Sequence, residues 1–146
     1  MPINRPLTDE EFKQIYSKVP KLCVDIIIQT EQGILLTKRS EESWKGMWHI
    51  PGGTVHYKEY LREAVRRIAR EEIQVEVVVK KFLGYIEFAS EEKARGFGWS
   101  VSLAFLCSIA SGVPSVNEQA SDLSFFTVIP DNTISEQKEF LENFLA

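Results

Sequence analysis

Two adjacent carboxylates, Glu71 and Glu72, follow a Pro51-Gly52-Gly53 segment, with Glu59 and Arg67 at fixed positions between them. Adjacent carboxylates near a glycine-rich turn, as this segment is expected to be, suit Mg²⁺. That ion takes few protein oxygens and keeps waters and substrate phosphates in its shell. Glycine lets backbone carbonyls and amides approach a ligand closely, and proline fixes the entry of the chain. The chemistry open to such a cluster is Lewis-acid assistance at a phosphate or diphosphate.

A helix must carry these groups, and the spacing predicts one over roughly Lys58–Ile73. At about 100° per residue, Leu61, Ala64, Val65 and Ile68 fall on one stripe, and Arg62, Arg66 and Arg70 on the opposite, solvated side. Glu72 lands back on the apolar stripe and Glu71 on its flank. A carboxylate on a core-facing stripe is costly unless something pairs with it. Either the core ends there and Glu72 meets solvent, or it serves a cation.

Further elements surround this helix. Thr8 and Glu11 form a capping box, and Phe12, Ile15, Tyr16 and Val19 make an apolar face that Pro20 ends. Leu22–Gln29 and Ile34–Thr37 predict a hairpin turning at Glu31-Gln32-Gly33. A loop over Arg39–Gly46 and a short run, Met47–Ile50, lead to the glycines. Strands are expected over Gln74–Phe82, Tyr85–Phe88, Trp99–Ser108 and Leu123–Val128, and a last helix over Ser135–Leu145. Strands mixed with two or three helices predict an α+β fold, an α/β/α sandwich. The pattern does not fix strand order.

The chain has 146 residues, enough for a single domain over 1–146 with its own core. The net charge of −4 argues against a nucleic-acid partner but not against a nucleotide, because Mg²⁺ reconciles carboxylates with phosphates. No apolar run approaches membrane-spanning length, and Met1-Pro2-Ile3-Asn4-Arg5 is not followed by a signal-type apolar segment, so no membrane partner and a cytoplasmic location are expected. Cys23 and Cys107 sit in apolar segments and are expected as buried free thiols.

Residues 52–75 resemble the Nudix box: Gly53, five residues, Glu59, seven residues, Arg67, then Glu71, Glu72 and Val75 at the expected places. The approach from Trp44 to Pro51 also looks like that superfamily. Two positions depart. Ile68 replaces the first of the clustered glutamates, and Gln74 replaces the closing glycine. A non-glycine residue kept in a left-handed cap costs about 1 kcal/mol. The loss of a carboxylate at Ile68 predicts one Mg²⁺ (Mn²⁺ as a substitute) rather than a cluster.

A missing glutamate there is similar to the GDP-mannose mannosyl hydrolase branch. That resemblance covers roughly residues 7–128 and includes the leading helix within 1–20, Asp25, Lys38-Arg39 and Asn117-Glu118-Gln119. It implies a metal held by the Gly52 carbonyl, Glu72 and Gln119. It implies nucleotide contacts from Asp25 and Arg39, with Gly53 and Thr54 beside them, and a box whose working residues are Glu71, Glu72 and Arg67. It implies a homodimer through the leading helix, although that helix's apolar face equally suits its own sheet. The branch has an arginine after Gly-Gly, where this chain has Thr54, and a catalytic histidine in a loop that here, over Tyr85–Trp99, has none. His49 is expected in a structural role and His56 in solvent.

The implied function is a Mg²⁺-dependent hydrolase of a nucleoside diphosphate linked to another moiety, a nucleotide-sugar or an ADP-ribose-like molecule. Attack at phosphorus and attack at the sugar carbon both stay open. Arg67 with Glu59 is expected to brace the box. The base is Glu71 or a carboxylate in the Glu87–Glu92 loop. The alternative is a catalytically silent nucleotide-binding module on the same fold.

Overall fold

The computed structural model describes residues 5–146; the first four residues of the 1–20 leading segment lie outside the described ones. Helix α1 spans Asp9–Tyr16 and starts with the expected capping box, Thr8 and Glu11 each bonding the other's backbone N–H. It ends at Tyr16, so Val19 falls beyond it and is exposed. Strands β1 (Lys21–Thr30) and β2 (Gly33–Arg39) form the predicted hairpin, closing at Thr30 opposite Gly33. Strand β3 is the short Trp48–His49 pair, on the edge beside β2.

The glycine segment differs from expectation. Gly52–Thr54 is not a turn but a strand, β4, antiparallel to β1, with Gly52 opposite Asp25 and Thr54 opposite Cys23. A side chain on Gly52 would overlap the Asp25 carboxylate and the Val24 carbonyl. The glycine is therefore required by close approach to β1.

Helix α2 spans Leu61–Ile73 and begins three residues later than the periodicity suggests, because Lys58 has a φ of 63°, incompatible with a right-handed helix. Strand β5 (Glu76–Glu87) joins the two strands read separately; its pairing shifts near Gly84, whose φ is 140°. A short helix, α3 (Glu91–Arg95), follows where only a loop was expected. Strands β6 (Ser100–Ser111) and β7 (Ala120–Phe126) and helix α4 (Ser135–Leu145) complete the chain.

The sheet is mixed. Its main path runs β3-β2-β1-β6-β5, with β1 and β6 parallel, β4 on β1 and β7 on β2. One face packs on α2: Val24, Ile26 and Ile28 meet Ala64, Val65, Ile68 and Ile73. The other packs on α4: Ile27, Ile86 and Ala104 share a core with Leu141, Phe140 and Phe144. This is the α/β/α sandwich expected from the pattern.

Alternation along the strands then sets the site. On the α4 side, β1 presents Ile27 to the core, but its earlier odd residues, Lys21, Cys23 and Asp25, line a cavity. Beside them β6 places Ser100 and Ser102 in the cavity and Ala104 in the core. Helix α1 covers this end with Phe12, Ile15 and Tyr16, so its apolar face lies over its own chain. Cys23 and Cys107 are buried free thiols, as expected, and burial pushes them up to about 11 and about 12. Among the described residues no helix is long and apolar enough to cross a membrane.

Candidate functional site

A cavity of about 780 Å³ brings together the predicted Gly52, Gly53, Thr54, Asp25, Arg39 and Gln119. Glu71, Glu72 and Arg67 of α2 line the same space. Glu72 turns into it from the end of the α2 apolar stripe. No hydrogen bond to the Glu72 carboxylate occurs among the described residues. Burial pushes its pKa up to about 7, nearby Glu41 and Glu71 add to the rise, and Arg39 opposes it. A desolvated carboxylate next to two others is the environment a cation relieves.

Oxygens that could hold a cation are those of the Glu72 carboxylate, the Gln119 amide and the Gly52 backbone, from three residues that line the cavity. Among the described residues no three His, Cys, Asp or Glu side chains converge in a metal-binding cluster. An oxygen-only set short of carboxylates fits Mg²⁺, which keeps much of its water and shares substrate phosphates. Ile68, where a further carboxylate would stand, is 2% exposed and packs under Gly53, where an added Cβ would lie 3.2 Å from the Ile68 Cδ1. That position belongs to the core.

Arg67 braces the box. Its Nε and Nη2 bond both oxygens of Glu59 at 2.7 and 3.0 Å. Its Nη1 bonds Glu71 Oε2 at 3.1 Å, and Nη2 also reaches the Thr54 carbonyl at 2.9 Å. One guanidinium thus ties α2 to β4 and to the turn before the helix. Most of its donors are committed, so Arg67 is a positioning residue in this geometry. The His56 N–H donates to Glu59 Oε1 at 3.0 Å, which closes the same turn. His56 is half-buried in the cavity wall, a correction to the exposure expected from its place in the variable stretch.

Gln74 keeps the left-handed cap, with φ 58° and ψ 39°. Its side chain donates to the Val116 carbonyl at 3.3 Å, and Asn117 Nδ2 donates to the Glu71 carbonyl at 2.7 Å. Both bonds dock the 116–119 loop, and so Gln119, on the end of α2. The Asn117 side chain also accepts from the Gln119 N–H at 2.8 Å. The missing glycine is replaced by a residue that anchors the loop.

Arg39 is held by its own loop, with Nε on the Ser43 carbonyl at 2.7 Å and Nη2 on Ser43 Oγ at 2.8 Å and Glu41 at 2.9 Å. Its guanidinium also stands over the Trp44 ring at 5.7 Å. His49 bonds Thr37 Oγ1 at 2.9 Å, and burial, helped by Arg39, pushes it down to about 3. It also lines the cavity, which the structural role expected for it did not anticipate. Asp25, buried on the cavity floor, is pushed up to about 7 by desolvation, against hydrogen bonding from its neighbours.

Five residues of the site were not among those singled out from the sequence. Gln137 of α4 donates to Asp25 Oδ2 at 3.1 Å and accepts from the Ile50 N–H at 3.0 Å. Lys21 bonds Glu91 Oε2 at 2.7 Å, and Ser100 donates to Glu91 Oε1 at 2.5 Å. Arg95 lies beside the same carboxylate at 3.2 Å. The usable hint was polarity within apolar strands, as at Lys21 and Ser100; nothing local marked Gln137 or Glu91.

A mixed sheet between two helical layers, with a Glu-Glu pair and a bracing arginine beside a glycine pair, defines the class, and comparison with known proteins agrees. The NUDIX domain family matches residues 19–141, and this chain belongs to it. The chain is 41% identical over 81 residues to the low-salt glycan biosynthesis protein Agl8 of Haloferax volcanii, covering 56% of this chain and 52% of that protein. It is 33% identical over 107 residues to an ADP-ribose pyrophosphatase of Methanocaldococcus jannaschii, covering 73% of this chain and 62% of that protein. The chain thus spans between about half and three-fifths of these relatives' lengths. The crystal structure of a MutT NUDIX hydrolase from Burkholderia pseudomallei superposes with a TM-score of 0.73 at 25% identity, over 85% of this chain and 97% of that one. The MutT protein of Methanosarcina mazei shares the fold, with a TM-score of 0.75 at 22% identity over 86% of this chain and 93% of that one.

Proposed function

We propose that this chain is a Mg²⁺-dependent hydrolase of a nucleoside diphosphate joined to a second group, a nucleotide-sugar or an ADP-ribose-like molecule. The observation that carries this reading is Glu72: a carboxylate desolvated in the cavity, without a hydrogen bond among the described residues, in a wall that Gly52 and Gln119 share. Gly52, Glu72 and Gln119 would hold one Mg²⁺. When bound, the metal supplies Lewis-acid polarisation of the diphosphate. Mn²⁺ is the expected substitute.

The chain's own residues supply the rest. Arg39 offers charge to a phosphate. Asp25, with a carboxyl half-protonated near neutral pH, offers both a donor and an acceptor to a ligand hydroxyl. Arg67 holds Glu71 and the Thr54 carbonyl in place. The substrate class follows the kinship with an ADP-ribose pyrophosphatase and a glycan biosynthesis protein. Of the carboxylates considered for the base, Glu87 and Glu92 do not line the cavity and Glu91 is held by Lys21 and Ser100; Glu71 lines it, one oxygen held by Arg67, and is the candidate.

The buried Ile68 favours a second reading, a nucleotide-binding module without turnover, because it removes one metal oxygen from the box. A panel of nucleotide-sugars, ADP-ribose and dinucleotides with Mg²⁺ or Mn²⁺, scored for released sugar, phosphate and nucleoside monophosphate, separates the two. Turnover that disappears in Glu72→Gln is expected. Binding of these ligands with no product from any of them would establish the silent module instead.

A further inference from the structure

The cavity wall formed by α3 carries a second cation at a carboxylate that another cation already neutralises. Glu91 is 1% exposed, and its two oxygens are already engaged by Lys21 at 2.7 Å and Ser100 at 2.5 Å. One buried carboxylate is thus neutralised by one buried ammonium. Arg95 is a second cation at the same carboxylate, 3.2 Å from Oε2, and the contact lacks hydrogen-bond geometry. The Arg95 Nε is buried and has no acceptor among the described residues. Two rings pin the guanidinium, with Phe12 and Phe97 each centred 5.9 Å from it. Arg95 therefore stands in the cavity wall between two rings, its Nε without an acceptor among the described residues and its charge shared with Lys21 at one carboxylate.

The Arg95 side chain is 26% exposed, so its charge meets the cavity while its Nε lacks an acceptor among the described residues, and an arriving anion supplies the acceptors it lacks. Arg95 lines the same cavity as Arg39 and Glu72. The two arginines feel each other: burial lowers the Arg39 pKa, and the Arg95 charge lowers it further. Two cations that repel across a cavity mark a place for negative charge between them. Thr54 brings no cation to the opposite wall, next to the glycines.

We propose that Arg95 is a phosphate-binding residue of this site, donating to the diphosphate from the wall facing Arg39. The assignment rests on the reading that a diphosphate enters this cavity. A planar fork held between rings suits two phosphate oxygens better than an ammonium does.

The test is titration calorimetry of the full chain with inorganic pyrophosphate and Mg²⁺, on the unaltered protein, Arg95→Gln and Arg95→Lys. Arg95→Gln is expected to weaken pyrophosphate roughly tenfold or more, as for a lost charge-assisted hydrogen bond. Arg95→Lys should recover part of that loss, because it keeps the charge but not the fork. Melting temperatures should stay close together, because Lys21 still neutralises Glu91. If Arg95→Gln does not fold, Arg95→Lys decides alone, with a loss of about threefold or more expected. Pyrophosphate affinity within twofold of the unaltered protein in the folded variants would overturn the assignment. If the unaltered protein does not bind pyrophosphate, the diphosphate reading fails first, and Arg95 with it.

Discussion

Gln137 and Asp25 stand 112 residues apart in the chain and meet at 3.1 Å, the amide of the last helix donating to the carboxyl on the cavity floor. The other end of the same amide accepts from the Ile50 N–H at 3.0 Å. Gln137 is 3% exposed, so neither bond is replaced by water when it is lost. Gln137→Leu should therefore cost about 1–3 kcal/mol, the penalty for stranding buried polar groups. Urea unfolding checks this; an unchanged midpoint would show that the Ile50 amide and Asp25 find other partners.

Arg67 holds three partners, so its removal should be felt in both stability and turnover. Arg67→Ala removes from Glu59 and Glu71, 12% and 7% exposed, the guanidinium that bonds both. A loss of about 2–4 kcal/mol is expected, near the range for breaking a buried pair. Hydrolysis should fall by a larger factor than substrate affinity, since the residue positions the box. Equal changes in kcat and in binding would count against a positioning role.

Asp25 and Glu72 set a pH dependence. Burial lifts Asp25 from its ordinary 3.8 to about 7, and lifts Glu72 from 4.5 to about 7. Each group holds its proton more tightly in the folded chain. Their contribution to stability is complete below about pH 4 and is lost as pH rises through 7, with a slope of at most about 1.4 kcal/mol per pH unit for each group. Glu59 acts in the opposite sense. Partial burial raises it, yet hydrogen bonds from Arg67 and the His56 amide hold it low, so its contribution disappears only as pH falls below its ordinary 4.5. Urea midpoints without metal should fall between pH 5 and 8. Asp25→Asn should flatten that fall; a slope as steep as in the unaltered protein would contradict the assignment to Asp25.

Gln74→Gly offers a separation of stability from metal binding. A glycine relieves the left-handed backbone and should gain about 1 kcal/mol. It also removes the bond to Val116, one of the ties on the loop that carries Gln119. A more stable protein with weaker Mg²⁺ binding is expected, by thermal melting and by metal titration. Metal affinity that rises with stability would show that the tie has no part in presenting Gln119.

The sequence made the box legible because its residues act within α2 or just before it. Glu59, Arg67, Glu71 and Glu72 are held together by helical spacing, which a pattern shows directly. The β1–β2 hairpin and α4 were legible for the same reason. The rest depends on chain segments that meet only after folding. Lys21 and Glu91 lie 70 residues apart, and Gln137 and Asp25 further still, so no periodicity joins them. Gly52–Thr54 looked like a turn because glycine pairs usually are; the pairing with β1 that makes it a strand is a long-range contact. Helix α3 was hidden by its brevity, and its charged residues looked like a solvated loop while two of them face the interior.

Strand β1 has a further consequence. Its even residues, Val24, Ile26 and Ile28, pack under α2, while Lys21, Cys23 and Asp25 face the cavity. Recognition and folding therefore occupy alternate positions of one rigid rail. Among the cavity-facing positions Lys21 and Asp25 are tied to Glu91 and Gln137, while Cys23 carries no ion pair among the described residues, so a change at Cys23 alters what the cavity accepts at the least cost to the fold. A lineage built on this frame therefore has one position on the rail where the ligand can change before the scaffold must.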